Sequence, residues 1–298
     1  MGRRKNDPPI SGVLLIDKPG GMTSHDVVGR VRRALGIRRV GHAGTLDPMA
    51  TGVLVIGVGP STRLLGIVGG HDKEYLATIR LGASTTTDDA EGELLVQASA
   101  ERVASVSDDA VREAVRGFIG TITQRPSSVS AVKIDGKRSY QRVREGQEVE
   151  LPEREVHVQT FEVLGIDRGS DHIDVRVRVE CSAGTYIRAL ARDLGAALGV
   201  GGHLVALRRS RSGAVGVQEC LAIADVTADS LRPAAWLARA ELPSVDIDGD
   251  AVLQARNGVR LDVADAAHEL RALVGPDDDL VAIVESDGSY RVVFPAVS

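Results

Sequence analysis

A dense run of glycine and proline around a single carboxylate constrains this chain more than any other stretch. The segment Gly41–Gly52 holds three Gly, one Pro, one His and only one acid, Asp47. Glycine and proline at this density predict an irregular loop, and the apolar run Val53–Ile56 after it predicts a buried strand that braces the loop. Such a loop can hold one side chain over a cleft. On local chemistry alone, however, Asp47-Pro48 is better interpreted as an ordinary turn pair.

Length and composition indicate a globular chain in a reducing compartment. The 298 residues, 43% of them hydrophobic, suffice for one large domain and a smaller one. Cys181 and Cys220 form no disulfide framework and match no metal spacing. The basic N-terminus lacks the apolar stretch of a secretory signal, and no apolar run approaches the roughly 20 residues of a membrane helix. We therefore expect a cytoplasmic protein without a membrane partner.

The net charge of −5 at first argues against a nucleic-acid partner, but the charge is unevenly distributed. From Glu241 onward there are 12 acids and 4 Arg, net −8, which leaves 32 basic and 29 acidic residues before that point. The acidity therefore belongs to the end of the chain. A basic face on the remainder is sufficient to bind phosphates.

The residues around Asp47 also form a longer sequence motif. It resembles the G-H-x-G-x-L-D-P-x-A-x-G signature of the TruB family of tRNA pseudouridine synthases. In that family the essential aspartate stands where Asp47 stands here. The family's histidine, at His42, enters the RNA stack where the target base has left, whereas the residue alone is equally typical of a turn histidine bonded to backbone.

Further segments resemble the same family in the same order. Asp17–Ser24 matches D-K-P-x-G-x-T-S, and Ser24 is predicted to cap the helix that follows. Lys73–Tyr75 matches K-x-Y, which implies that Tyr75 stacks on the target base rather than serving only as a core tyrosine. Thr85–Glu93, in contrast, is polar and predicts a flexible loop.

The region after the second long strand resembles C-S-x-G-T-Y-I-R-x-L-x-x-D-L-G, beginning at Cys181. The resemblance implies that Tyr186 is a second active-site ring and that Arg188 pairs with the catalytic aspartate. By itself, Arg188 is equally typical of a charge on a helix surface. Leu207, in a segment similar to the L-x-R-x-x-x-G ending, is implied to border the base pocket.

Basic residues suggest where RNA binds. Five arginines without an acid among them lie between Gly29 and Val40 and lead into the Asp47 loop, although a solvated charged face is the usual interpretation of such a run. Gln124–Tyr140 resembles a further family segment, with Ser127 replacing a usual second proline and Val129 a usual aromatic residue. We expect RNA contacts from Lys18, Arg30, Arg32, Arg33, Arg39 and Lys133.

The resemblance implies isomerisation of uridine 55 in the T-loop of tRNA to pseudouridine, with the nucleotide flipped from its stack. The expected partner is the tRNA T-arm, and the expected state is a monomer without cofactor or metal. Asp47 could attack C1′ of the sugar or C6 of the base, or remove the C2′ proton. These three roles stay open.

Two other functions compete with this hypothesis. An RNA-binding module or chaperone on the same fold would retain RNA affinity without chemistry at Asp47. A nucleotide-binding hydrolase is suggested by the turn Gly57–Ser61, which lacks the lysine and spacing of a phosphate-binding loop.

The predicted fold is α+β, with a mixed, mostly antiparallel sheet of the pseudouridine synthase type. Strand runs are centred near Leu14, Val53, Ala77, Val132, Val158 and Val177. We expect a disordered basic tail over residues 1–10, a catalytic domain over 11–225 and a small β-rich, PUA-like domain over 226–298. The family resemblance in the motifs fades after Asp225.

Overall fold

The computed structural model describes residues 10–127, 133–134, 137–138 and 152–296, the two short internal ranges by their backbone alone. The strands are β1 (Gly12–Lys18), β2 (Val40–Ala43), β3 (Thr51–Val58), β4 (Lys73–Leu81), β5 (Ala83–Thr85), β6 (Leu94–Gln97), β7 (Gly120–Gln124), β8 (Lys133–Ile134), β9 (Lys137–Arg138), β10 (Arg154–Arg168), β11 (Ile173–Cys181), β12 (Gly202–Ser212), β13 (Val215–Gly216), β14 (Leu221–Ala222), β15 (Ser244–Asp246), β16 (Leu270–Val274), β17 (Leu280–Glu285) and β18 (Tyr290–Val293). The α-helices are α1 (Ser24–Leu35), α2 (Leu65–Val68), α3 (Ala100–Ser105), α4 (Asp108–Arg116), α5 (Ile187–Ala197), α6 (Ala234–Glu241) and α7 (Gly249–Arg256).

Contacts divide the chain into two compact units. The central unit comprises Met49–Thr51 and His71–Arg211, and the terminal unit comprises the residues up to Pro48, Gly52–Gly70 and the residues from Ser212 onward. This division differs from the predicted border between residues 225 and 226, because the C-terminal segment packs with the N-terminal strands. The predicted tail over residues 1–10 lies outside the described residues, except for Ile10.

The central unit is built on five strands in the order β12-β4-β11-β10-β7. The pairs β4–β11, β11–β10 and β10–β7 are antiparallel, and Tyr75 is the register partner of Val179. Strict alternation places Val175, Val177 and Val179 in the core, as period-2 patterning predicts. The helix α5 follows β11 after a turn that contains Gly184.

In the terminal unit, β3 pairs antiparallel with both β1 and β2, and β14 pairs parallel with β1. Alternate residues of β1 and β3 enter two different cores. Leu14 and Ile56 pack with α1 on one face, whereas Leu15 and Val55 pack on the other face with residues of the C-terminal segment. The central strands of this unit are therefore buried on both faces, which explains their unbroken apolar sequences.

The C-terminal segment forms a second sheet in the order β15-β16-β17-β18. The sequence from Val281 to Phe294 predicts a hairpin, and β17 and β18 form it, joined by a turn at Asp287-Gly288 where Gly288 has φ +82°. Ala272, Ile283 and Phe294 belong to the same core cluster as Leu15. The small β-rich domain thus shares its core with β1 and β3.

The predicted fold class is confirmed: the sheets are mixed and mostly antiparallel. Val132, one of the predicted strand centres, lies outside the described residues, whereas β8 and β9 pair antiparallel. Within the described ranges, none of the helices is both long and apolar enough to cross a membrane.

Several local predictions were wrong. The N-cap of α1 is Thr23, which forms a capping box with Asp26, and Ser24 is the first helical residue. The sequence from Asp108 and Asp109 predicts a helix that runs through Phe118, but α4 ends at Arg116. The segment from Thr85 to Glu93, predicted as a flexible loop, begins in β5 and continues as turns in which Asp89 is buried.

Candidate active site

Asp47 lies in a short loop between β2 and β3. The first residues of the glycine-rich stretch are not loop, since His42 belongs to β2 and pairs with Ile56. Gly44 and Gly52 have φ values of +79° and +101°, in the left-handed region where a side chain would be strained. Asp47 itself is half-buried. The glycines therefore shape the two ends of the loop that presents this carboxylate.

Both neighbours of Asp47 are fixed by the segment that ends β1 and begins α1. The Ser24 hydroxyl accepts from the Leu46 N–H at 2.9 Å and donates to the Leu46 carbonyl at 3.2 Å. The Pro48 carbonyl accepts from the Gly21 N–H at 2.9 Å. The motif Asp17–Ser24 thus contacts the motif Gly41–Gly52 next to Asp47. The main chain is held on both sides of Asp47.

Lys18 is part of this brace, and its prediction as an RNA contact was wrong. The side chain is fully buried, and its ammonium donates to the carbonyls of Pro19, Met22 and Pro48 at 2.9, 2.6 and 3.2 Å. An ammonium enclosed by backbone carbonyls is not available to a phosphate at the surface. Its charge instead stabilises the turn next to the Asp47 loop.

His42 is half-buried, and its ring contacts that of His25 edge-on, with centroids 5.5 Å apart. His25 is exposed on α1. This places two imidazoles beside the arginine-rich helix, in the terminal unit.

Arg188 is buried in the first turn of α5, so the interpretation as a helix-surface charge was wrong. Its Nη1 donates to the Thr87 carbonyl at 2.9 Å and lies 3.4 Å from Oδ2 of Asp89. Both side chains are about nineteen-twentieths buried, with exposed fractions of 4% and 5%. The Glu91 N–H and the Thr87 hydroxyl also donate to Asp89. Asp89 therefore compensates the buried cation, a role that sequence reasoning missed.

Tyr186 immediately precedes α5 in an extended conformation, with φ −103° and ψ 109°. The buried side-chain amide of Gln124 bonds both main-chain groups of Tyr186. Its Nε2 donates to the Tyr186 carbonyl at 2.9 Å, and its Oε1 accepts from the Tyr186 N–H at 2.7 Å. Gln124 begins a segment that resembles the family, but the sequence predicts no role for its side chain.

Tyr75 and Leu207 are both 8% exposed, on β4 and β12 respectively. Tyr75 shares the buried face of its strand with Ala77, as predicted. Next to it, the Ser210 hydroxyl and the Arg178 guanidinium hold the pKa of the Glu74 carboxyl below its ordinary value. Tyr75, Tyr186, Arg188 and Leu207 all belong to the central unit, whereas His42 and Asp47 belong to the terminal unit.

The predicted RNA-binding arginines form an arginine surface, defined as Arg30, Arg32, Arg33, Arg38 and Arg39, and all five are exposed. Arg32 donates to the Val40 carbonyl and Arg39 to the Thr62 hydroxyl, each at 2.9 Å. These bonds orient two of the guanidinium groups. The side chain of Lys133 lies outside the described part of the chain.

The arginines on the outer face of β11 are neutralised by acids. Arg176 lies 3.1 Å from Asp167, and Arg178 contacts both Glu74 and Glu162. Such pairs cancel the charge that would attract phosphate. This face is therefore a ladder of ion pairs rather than a phosphate surface.

Other chemistries find little support in the described residues. Over these ranges, no group of three or more His, Cys, Asp or Glu could hold a metal ion. Burial raises the pKa of the Cys181 thiol to about 11, so it is protonated at neutral pH and is a poor nucleophile.

Comparison with known proteins then tests the family. Residues 32–187 match the model of the TruB family pseudouridylate synthase N-terminal domain, and residues 188–282 match that of the tRNA pseudouridylate synthase B C-terminal domain. The chain belongs to the TruB family of pseudouridine synthases. The members of this family are isomerases that convert uridine to pseudouridine. The C-terminal match shows that the relationship continues well past Asp225, where the motifs alone had faded.

Individual relatives agree with this assignment. The chain is 51% identical over 293 residues to a tRNA pseudouridine synthase B of Leifsonia xyli subsp. xyli, covering 96% of this chain and 97% of the relative. A protein of the same name from Mycobacterium ulcerans is 58% identical over 212 residues, which cover 71% and 69% of the two chains. A crystal structure of a Cbf5-Nop10-Gar1 complex contains a chain of similar fold, with TM-score 0.69, 28% identity and coverage of 96% and 84%.

Proposed function

We propose that this TruB-family chain isomerises uridine 55 in the T-loop of tRNA to pseudouridine, with Asp47 as the catalytic carboxylate. The observation that carries the proposal is the brace on both neighbours of Asp47. A loop held through Leu46 and Pro48 keeps the Asp47 carboxylate in place. The relatives named tRNA pseudouridine synthase B support tRNA as the substrate.

The reaction breaks the N1–C1′ bond of uridine, turns the uracil and joins C5 to C1′, so atoms and electrons balance without a redox cofactor. Asp47 acts as a nucleophile at C1′ or C6, or as the base that removes the C2′ proton. In this proposal Arg188 pairs with the Asp47 carboxylate and favours its ionised form. A guanidinium has five N–H donors, so pairing with Asp89 leaves donors for a second carboxylate.

The target nucleotide leaves its stack to reach Asp47, at a cost of a few kcal/mol that is smallest for bases in loops. Tyr75 stacks on the flipped uracil, an interaction worth roughly 1–3 kcal/mol. Tyr186 closes the pocket and moves the C5 proton, and Leu207 borders it. His42 fills the space that the base vacates in the RNA.

Affinity for the tRNA T-arm comes from the arginine surface, whose exposed guanidinium groups contact phosphates. The acidic C-terminal segment contributes little to this affinity because like charges repel the RNA backbone. We place the enzyme in the cytoplasm as a monomer.

The test is tritium release from tRNA transcripts carrying uridine labelled at C5, because forming the C5–C1′ bond expels the C5 hydrogen. We expect the wild-type chain to release one equivalent, and a transcript with cytidine at position 55 to release none from that site. Release from the cytidine transcript equal to that from the normal one would contradict the position.

The Asp47→Asn variant tests the residue. It keeps size and turn geometry but removes the charge and the nucleophile, so we expect no turnover and nearly unchanged tRNA affinity by filter binding. Residual single-turnover activity within about tenfold of wild type, a difference of 1.4 kcal/mol in barrier, would remove Asp47 from the mechanism. Loss of binding together with a lower melting temperature would make it a structural residue.

A further inference from the structure

Gln124 and Arg154 are register partners on the adjacent antiparallel strands β7 and β10, and both contact Tyr186. The Gln124 side chain is 1% exposed and makes the two complementary bonds that a neighbouring strand would make. An amide side chain can donate and accept at once, and no other orientation of the amide satisfies both main-chain groups. Gln124 therefore fixes the main chain of Tyr186.

Arg154 contacts the ring of the same residue. Its guanidinium carbon lies 4.5 Å from the centroid of the Tyr186 ring, in the range of a cation–π contact. One strand pair thus holds Tyr186 twice, through its backbone and through one face of its ring.

Arg154 differs in its partner from several arginines nearby in the sequence or on the adjacent strand. Arg125, Arg176 and Arg178 each lie within 4.0 Å of a carboxylate. Among the residues that the structure describes, no carboxylate is within that distance of Arg154. A guanidinium without an acid partner gains most from an aromatic face, on which its planar group stacks. This indicates that the ring contact is the determinant of its position.

We propose that Gln124 and Arg154 are positioning residues for pseudouridine formation, which act through Tyr186 by fixing its main chain and its ring. The inference rests on the proposed function, in which Tyr186 closes the base pocket. Neither residue needs to touch the RNA. Displacement of a substrate-contacting ring by about 1 Å can slow a reaction up to roughly a hundredfold without weakening binding.

The first variant is Arg154→Met, which keeps a long side chain but removes the charge, and which alters a half-buried site that tolerates the change. We expect the single-turnover rate at saturating tRNA to fall about fivefold to thirtyfold, with unchanged affinity and unchanged salt dependence. The matched control is Arg176→Met on the exposed face of β11, which should leave the rate unchanged. A lowered affinity with a flatter salt slope and a normal rate would make Arg154 a phosphate contact and overturn the proposal.

The second variant is Gln124→Met, which keeps the length of the side chain and removes both hydrogen bonds. The control is Gln159→Met, at an exposed glutamine that bonds Asp72. We expect the single-turnover rate of the folded fraction of Gln124→Met to fall up to about a hundredfold, and that of the control to stay unchanged. A folded Gln124→Met protein with a normal rate would overturn the role of Gln124.

A double-mutant cycle separates action through Tyr186 from a general loss of order. In a Tyr186→Leu background the ring is absent, so Arg154→Met should cause no further decrease in rate. Additive losses would overturn the proposal, because Arg154 would then act elsewhere. If the wild-type chain releases no tritium from tRNA, the proposed function itself has failed, which is distinct from these outcomes.

Discussion

The surroundings of Asp47 and of Arg188 differ in kind. The loop of Asp47 is held through the main chain of its neighbours by a serine hydroxyl, a glycine N–H and a buried ammonium that binds carbonyls. Arg188 is held through its own side chain, by a buried carboxylate and a carbonyl. The braces on the Asp47 loop act on the residues next to Asp47, whereas Asp89 compensates the charge of Arg188 directly.

These two kinds of support match the different roles proposed for Asp47 and Arg188. In the proposed mechanism Asp47 reacts, and a brace on the main chain of its neighbours fixes the position of its loop. A cation that only has to stay in place benefits from a permanent counter-ion, since an uncompensated buried charge is costly. Substitutions at Arg188 and in the brace of the Asp47 loop should therefore reduce folding stability and activity by different amounts.

The largest effect is expected at Arg188. Replacing it with methionine leaves the Asp89 carboxylate buried without its cation, which should cost about 3–5 kcal/mol of folding stability and abolish turnover. Adding Asp89→Leu removes the stranded charge, so the melting temperature should recover while turnover does not. Differential scanning calorimetry and tritium release measure the two quantities. If the double variant regained activity, Arg188 would serve only to hold the fold.

A smaller effect is expected at Ser24. Ser24→Ala removes the two bonds to Leu46, which should cost roughly 1–3 kcal/mol and reduce kcat, because the Asp47 loop loses one brace. The matched control is Thr23→Ala, one residue earlier, which removes the helix cap and should cost about 1 kcal/mol with an unchanged kcat. Equal effects of both variants on kcat would show that the loop depends on α1 as a whole.

The smallest effect on stability is expected on the arginine surface. Changing Arg32, Arg33 and Arg39 to glutamate alters exposed side chains, so the melting temperature should shift little. Affinity for tRNA should fall, with a flatter dependence of log affinity on log salt, while turnover at saturating tRNA stays near wild type. Filter binding across a salt series measures the slope. An unchanged slope would show that these arginines do not contact phosphates and form only a solvated charged face.

The sequence predicted the elements of the fold because most of their determinants are local. Alternation in β4 and β11, the double-sided apolar runs of β1 and β3, and the Asp287-Gly288 turn are all visible as short patterns. The division into units was not predictable in this way. Whether Leu15 packs against Phe294 depends on contacts between residues far apart in the chain, which no periodicity encodes.

The motifs predict which residues belong to the candidate site, but they do not predict the residues that hold those side chains in place. Asp47 and Arg188 stand inside recognisable patterns, whereas Asp89 lies in a polar stretch whose composition is typical of a loop. Lysine is usually exposed, so the sequence favours a surface role for Lys18, whereas in the structure the carbonyls of Pro19, Met22 and Pro48 accept from its buried ammonium. In the sequence, Asp89 is marked only by following another acid, Asp88. That pattern does not predict an ion pair with Arg188, about a hundred positions away.

The shared core of β1, β3 and the C-terminal sheet has a consequence for the order of events on the ribosome. His71–Arg211 is contiguous and can fold as soon as it emerges, whereas the terminal unit waits for Phe294. Until then, Val13, Leu15, Val53 and Val55 lack the residues that cover them. We therefore expect a nascent chain to complete the unit that holds Tyr75 and Arg188 early, and to complete the unit that holds Asp47 only after Phe294 has emerged.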